Sequence, residues 1–165
     1  MLIPMNEVTL VHLVSDETPP GLSDLLTKTN PTSCINILID PDPARTCQEI
    51  AKATPSKNLI IIVTGDACNQ LPAIALAQRA AGRAILGYQL LQPVLPPFTD
   101  SWPLAPISAY FPTGSTIPRE VGLRGITIKE FTCLPEFAQF IENNFLYSKW
   151  NPGSQRDSRE DMAYR

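Results

Sequence analysis

The sequence predicts an α/β fold: a mostly parallel sheet with helices on both faces. Three observations carry the prediction. β-branched apolar runs alternate with helix-period segments along most of the chain, the order of a sheet built by right-handed crossovers. Leu59 to Val63 are five consecutive aliphatic residues, as in a central strand buried on both sides. The 17 prolines cluster between these candidate elements, so they read as rigid loop punctuation.

Val8 to Val14 is a short β-branched run that enters the polar, proline-containing Ser15 to Gly21, a strand feeding a loop. Gly21 to Thr29 suits a short helix with Leu22, Leu25 and Leu26 on one side. Ile35 to Ile39 is a second strand, closed by Asp40-Pro41-Asp42-Pro43, which reads as a turn. Ala44 to Thr54 then places Cys47, Ile50 and Ala51 at core spacing on a helix that Pro55 stops.

After the Leu59 to Val63 strand, Asn69 to Ala81 reads as a helix. Pro72 sits in its first turn, where a missing N–H does least harm, and Gly82 ends it. Ala84 to Leu91, Ile107 to Phe111 and Ile126 to Phe131 supply three more strands, and Pro118 to Leu123 a short helix. Pro135 opens a last helix, with Phe137, Phe140, Ile141 and Phe145 on one stripe. Residues 1–146 are expected to form a single domain, with 147–165 as a polar tail.

Composition narrows the function classes. With 165 residues, 44% hydrophobic and 18% charged, the chain is globular. A net charge of −3 offers no basic field, so neither nucleic acid nor a membrane surface is an expected partner. Met1 to Met5 lacks a cationic start, and no uncharged apolar stretch reaches the roughly 18 residues of a membrane span. A cytoplasmic protein is expected. Cys34, Cys47, Cys68 and Cys133 lie far apart without a C-x-x-C pair, and His12 is the only histidine, so no metal site is expected. Nucleotide-binding glycine motifs are absent, and no cofactor is expected.

From about residue 7 to 146 the pieces resemble, in order, a compact α/β-hydrolase. "VTLVHLV" is similar to the strand leading into that family's His-Gly oxyanion loop, and "INILIDPD" to the next strand. "LIIIVTGDACNQLPAIALA" resembles the strand, Gly-x-Ser-x-Gly turn and helix of the nucleophile elbow. "RAAGRAILGYQLLQPVLP", "SWPLAPISAYFPTGS", "ITIKEF" and "PEFAQFIENNFL" resemble the strands and helix that follow. The resemblance implies an α/β-hydrolase-like fold without a cap domain.

The residues that carry the family's chemistry are different here. At the elbow, Gly65 holds the first glycine position and Asp66 the variable one; Ala67 stands where the serine would be, Cys68 follows, and Asn69 replaces the second glycine. A methyl group cannot attack a carbonyl, so ordinary serine hydrolase activity is expected to be absent. The expected acid position reads Pro112-Thr113-Gly114 and the expected histidine position Thr132-Cys133-Leu134. His12 matches the oxyanion-loop histidine instead, and Leu13 stands in place of its glycine partner.

Two functional readings follow. In the first the protein binds without hydrolysing. Its old cleft, around Leu13, Gly65, Asp66, Ala67, Asn69, Trp102 and Tyr110, takes a small apolar or acyl-bearing ligand, a thioester presented by a carrier, or a protein partner. In the second, Cys68 is a displaced nucleophile activated at a helix start, with His12 as a candidate base. The protein is then an acyltransferase or thioesterase in a specialised pathway. Exposed edge strands and a polar tail leave a homodimer open in either case.

Overall fold

The computed structural model describes residues 8–29, 33–97, 103 and 105–143. Within them, β1 (Val8–Val14), β2 (Cys34–Leu38), β3 (Asn58–Thr64), β4 (Ala84–Leu91), β5 (Ile107–Pro112) and β6 (Thr127–Phe131) form one all-parallel sheet. The order across it is β2-β1-β3-β4-β5-β6. The connections carry α1 (Leu22–Thr29), α2 (Pro43–Lys52), α3 (Leu71–Ala80) and α4 (Arg119–Leu123), and α5 (Leu134–Ile141) follows β6. The predicted α/β architecture is therefore the observed one.

β3 shows why its sequence must be apolar throughout. Leu59, Ile61 and Val63 pack on one side with Ile50 of α2 and Leu71 and Ile74 of α3. Ile60 and Ile62 pack on the other with Leu22 and Leu26 of α1 and Phe137 and Ile141 of α5. All five are fully buried, each stabilising the fold by about 1.5–3 kcal/mol. The edge strand β6 instead exposes the polar Thr127 and Glu130, which discourage pairing with another chain, together with Ile128.

Helix starts follow local chemistry. Asp42 closes the predicted turn and also caps α2, its carboxylate accepting the Ala44 N–H at 3.0 Å while Pro43 takes the first helical position. The helix expected from Asn69 starts later, at Leu71, because Gly65–Gln70 winds as a 3-10 turn before Pro72 allows the regular helix. β2 lies one residue earlier than expected, and α2 ends at Lys52. Phe145, the tail at 147–165 and Trp102 lie outside the described residues. Among the described residues no helix is long and apolar enough to cross a membrane.

Candidate functional site

β1 leads to β2 on one side, and the chain then crosses back to β3 on the other, so the strand order reverses between β1 and β3. Loops leaving the carboxyl ends of such neighbours diverge and open a crevice. A cleft of about 430 Å³ lies there. Ser15, Asp16 and Glu17 line it from the loop after β1, and Ile39, Pro41 and Pro43 from the exit of β2. Asp66, Ala67, Asn69 and Gln70 of the 3-10 turn form the remaining wall.

The turn is built around Gly65, whose φ of 61° lies in the left-handed region. A side chain there would also displace a neighbour: a Cβ would stand 1.3 Å from Glu17 Oε2. That carboxylate reaches over the turn and accepts the Asp66 N–H at 2.9 Å. Val94 closes the turn from behind by donating its N–H to the Gly65 carbonyl at 3.2 Å. The backbone donor that follows the glycine is thus occupied by the protein's own carboxylate.

Of the expected cleft residues, Asp66, Ala67 and Asn69 line the cleft, and Gly65 sets its backbone. Leu13 is fully buried in the core beside Val11 and Val63. Tyr110 is also fully buried, on the opposite side of the sheet, so it lines no cleft mouth. Its hydroxyl donates to Gln89 Oε1 at 2.6 Å, and its ring meets Phe137 edge-on at 4.8 Å.

The two candidate reactive groups are not brought together. Cys68 is fully buried in the core of α2 and α3, and its thiol is pushed up to about 12. Burial is the main cause; the Val94 backbone opposes it, while the Glu17 and Asp66 charges add to it. At neutral pH this group is a thiol, not a thiolate. His12 alternates with Val11 and Leu13 along β1 and, like Leu10, points to the α1 side. Its Nδ1–H donates to Asn36 Oδ1 at 2.9 Å, Ser23 Oγ lies 3.3 Å from the same nitrogen, and Nε2 is buried without a partner. Burial lowers its pKa, and the Asn36 bond opposes that shift.

The positions where the resemblance expects an acid and a histidine serve the scaffold. Thr113 donates its N–H to the Phe131 carbonyl at 2.9 Å, tying the ends of β5 and β6 together. Thr132 bonds the Glu136 carboxylate through both its N–H and its hydroxyl, which fixes the entry to α5.

Sequence reasoning missed Glu17 and Gln70. Glu17 meets Asp66 across 49 positions of sequence, and no local pattern foretells that contact. Gln70 donates Nε2–H to the Asp40 carbonyl, leaving Oε1 buried without a donor. Asp16, Glu17 and Asp66 line the cleft, and among the described residues no lysine, arginine or histidine does. The cleft is therefore negative and rich in acceptors, with Ile39 and three prolyl or alanyl side chains as its apolar part. No group of three His, Cys, Asp or Glu among the described residues could hold a metal ion. Comparison with known proteins finds no protein-family model that matches the chain and no curated protein that matches it in sequence.

Proposed function

We propose that this is a non-hydrolytic binding protein of α/β-hydrolase-like build, which holds a small ligand in the cleft at the carboxyl ends of β1 and β3. The observation that carries the reading is the carboxylate of Glu17 on the Asp66 N–H, above a turn whose apex is Ala67. A negative side chain held over the turn opposes the developing oxyanion that acyl transfer requires, and alanine supplies no nucleophile. The fully buried thiol of Cys68 removes the support for attack from the next position.

The same charges select the ligand. Asp16, Glu17 and Asp66 repel anions, including carboxylates and the phosphate-bearing arm of a carrier. A neutral or cationic group fits them, with its apolar or acyl body against Ile39, Pro41 and Pro43.

Titration with three ring compounds of one shape and different charge tests this reading. Benzamidine is expected to shift the backbone amide signals of residues 15–17 and 66–70 most, benzamide less and benzoate least. Equal shifts from benzoate would remove the electrostatic argument. Activated esters are expected to hydrolyse no faster than in buffer, and short acyl thioesters to leave the intact mass unchanged. Rapid turnover, or an adduct that vanishes in Cys68→Ala, would overturn the binding reading.

A further inference from the structure

A second cavity, of about 360 Å³, lies at the opposite end of the sheet, where α3 hands over to β4. Its polar lining is Arg79, Arg83 and Tyr88, and Ala75, Ile85 and Ala105 are among its apolar walls. Among the described residues no carboxylate lines it. Neither arginine forms an ion pair among the described residues, and Arg83 donates one Nη1–H to Gln78 Oε1 at 2.9 Å.

A basic residue in a last helical turn ordinarily answers the free carbonyls there. Here that demand is already met. The Ala77, Gln78 and Arg79 carbonyls accept the N–H groups of Ala81, Arg83 and Gly82 at 2.9–3.0 Å. Helix capping also gives no reason for a second guanidinium beyond Gly82.

Tyr88 is the independent observation. Tyr88 is 1% exposed, and among the described residues its hydroxyl makes no hydrogen bond. A phenol buried in its ring and lining a cavity is a donor left available to whatever enters that cavity. Burial raises its pKa, with Arg79 opposing, so the hydroxyl keeps its proton and is a donor. Two guanidiniums without an ion pair among the described residues and one phenol donor therefore share a cavity with apolar walls.

We propose that this cavity is an anion site for a phosphate monoester with a small apolar body, separate from the cleft at the carboxyl ends of the strands. A phosphate monoester carries nearly two negative charges and three acceptor oxygens, which matches two guanidiniums and a phenol. A carboxylate offers one charge and two oxygens. Arg79 and Arg83 hold the phosphoryl oxygens, Tyr88 donates to one of them, and the alanine and isoleucine walls cover the ester body.

Phenyl phosphate is the probe, with inorganic phosphate and benzoate beside it. Saturable binding of phenyl phosphate is expected, moving the arginine Nε–H signals of Arg79 and Arg83 and the ring signals of Tyr88. Inorganic phosphate binds more weakly because it leaves the walls uncovered, and benzoate binds more weakly because it has one charge. Arg79→Gln is expected to weaken phenyl phosphate by about tenfold or more. It breaks no hydrogen bond or ion pair of the described residues, so its fold is expected to survive. Tyr88→Phe weakens binding by a smaller factor at unchanged melting temperature. Absence of saturable binding, undiminished binding in Arg79→Gln, or benzoate binding as tightly as phenyl phosphate would each overturn the proposal.

Discussion

The two sides of the sheet are sealed in different ways. Toward α2, α3 and α4 the strands present mostly aliphatic and aromatic groups, with the Thr9 and Tyr88 hydroxyls as polar tips among the buried strand side chains there. Toward α1 and α5 they bury an imidazole, an amide and a phenol, in His12, Gln89 and Tyr110. His12 and Gln89 both stand in register with Ile62 of β3. Tyr110 pairs there with Gln89 and His12 Nδ1 with Asn36, while His12 Nε2 is buried without a partner. The difference teaches that strand parity, more than sequence proximity to a motif, decides which side chains can work together. Cys68 and His12 belong to opposite sides.

Emptying the paired side should cost most. Phe137→Ala removes the ring that packs on Tyr110 and is expected to destabilise the protein by about 3–5 kcal/mol in urea unfolding. A cost below about 1 kcal/mol would mean that α5 does not seal this side. Tyr110→Phe isolates the subtler point that pairing, not polarity, matters. Leaving Gln89 Oε1 without its donor is expected to cost about 1–3 kcal/mol, and adding Gln89→Leu should recover part of it. Additive losses would show that the pair is not coupled.

At the cleft, Gly65→Ala is expected to cost about 1–2 kcal/mol from the left-handed backbone alone. It also evicts the Glu17 carboxylate, so the Asp66 amide signal should move as it does in Glu17→Gln. An unmoved signal would separate the turn from Glu17.

The smallest effect is a dependence on pH. His12 has its pKa lowered by burial, so the unfolded chain takes up the proton more readily than the folded one. Its contribution to stability is fully present above the unfolded value of about 6.5 and is lost as pH falls from there toward the folded pKa. Unfolding midpoints at about pH 7.5 and about pH 5.5 should fall more for the wild type than for His12→Gln. Equal falls would assign the pH dependence to other groups.

Much of the scaffold was legible because its signals are local. Five aliphatics at Leu59 to Val63 can only be buried twice over, and the stripe through Leu22 and Leu26 fits one apolar face. Gly82 takes a positive φ of 77° at the helix end where a glycine was expected. The turn at Gly65 was readable as a turn, but its occupant was not. Glu17 looks like any loop carboxylate until β1 and β3 are set side by side. Tyr110 misled for the opposite reason: an aromatic near a strand end suggests a pocket mouth, and only the pairing with Gln89 reveals a core residue.

The sequence by itself determined the alternation of strands and helices and that Ala67 brings no reactive group to its turn, because propensity, periodicity and side-chain chemistry are properties of neighbouring residues. Tertiary structure alone decided that Cys68 is sealed, that His12 lies across the sheet from it, and that Glu17 covers the Asp66 N–H. It also decided that Arg79, Arg83 and Tyr88 share one cavity. Burial and long-range contact depend on how the crossovers stack the strands, and no short window of sequence contains that information.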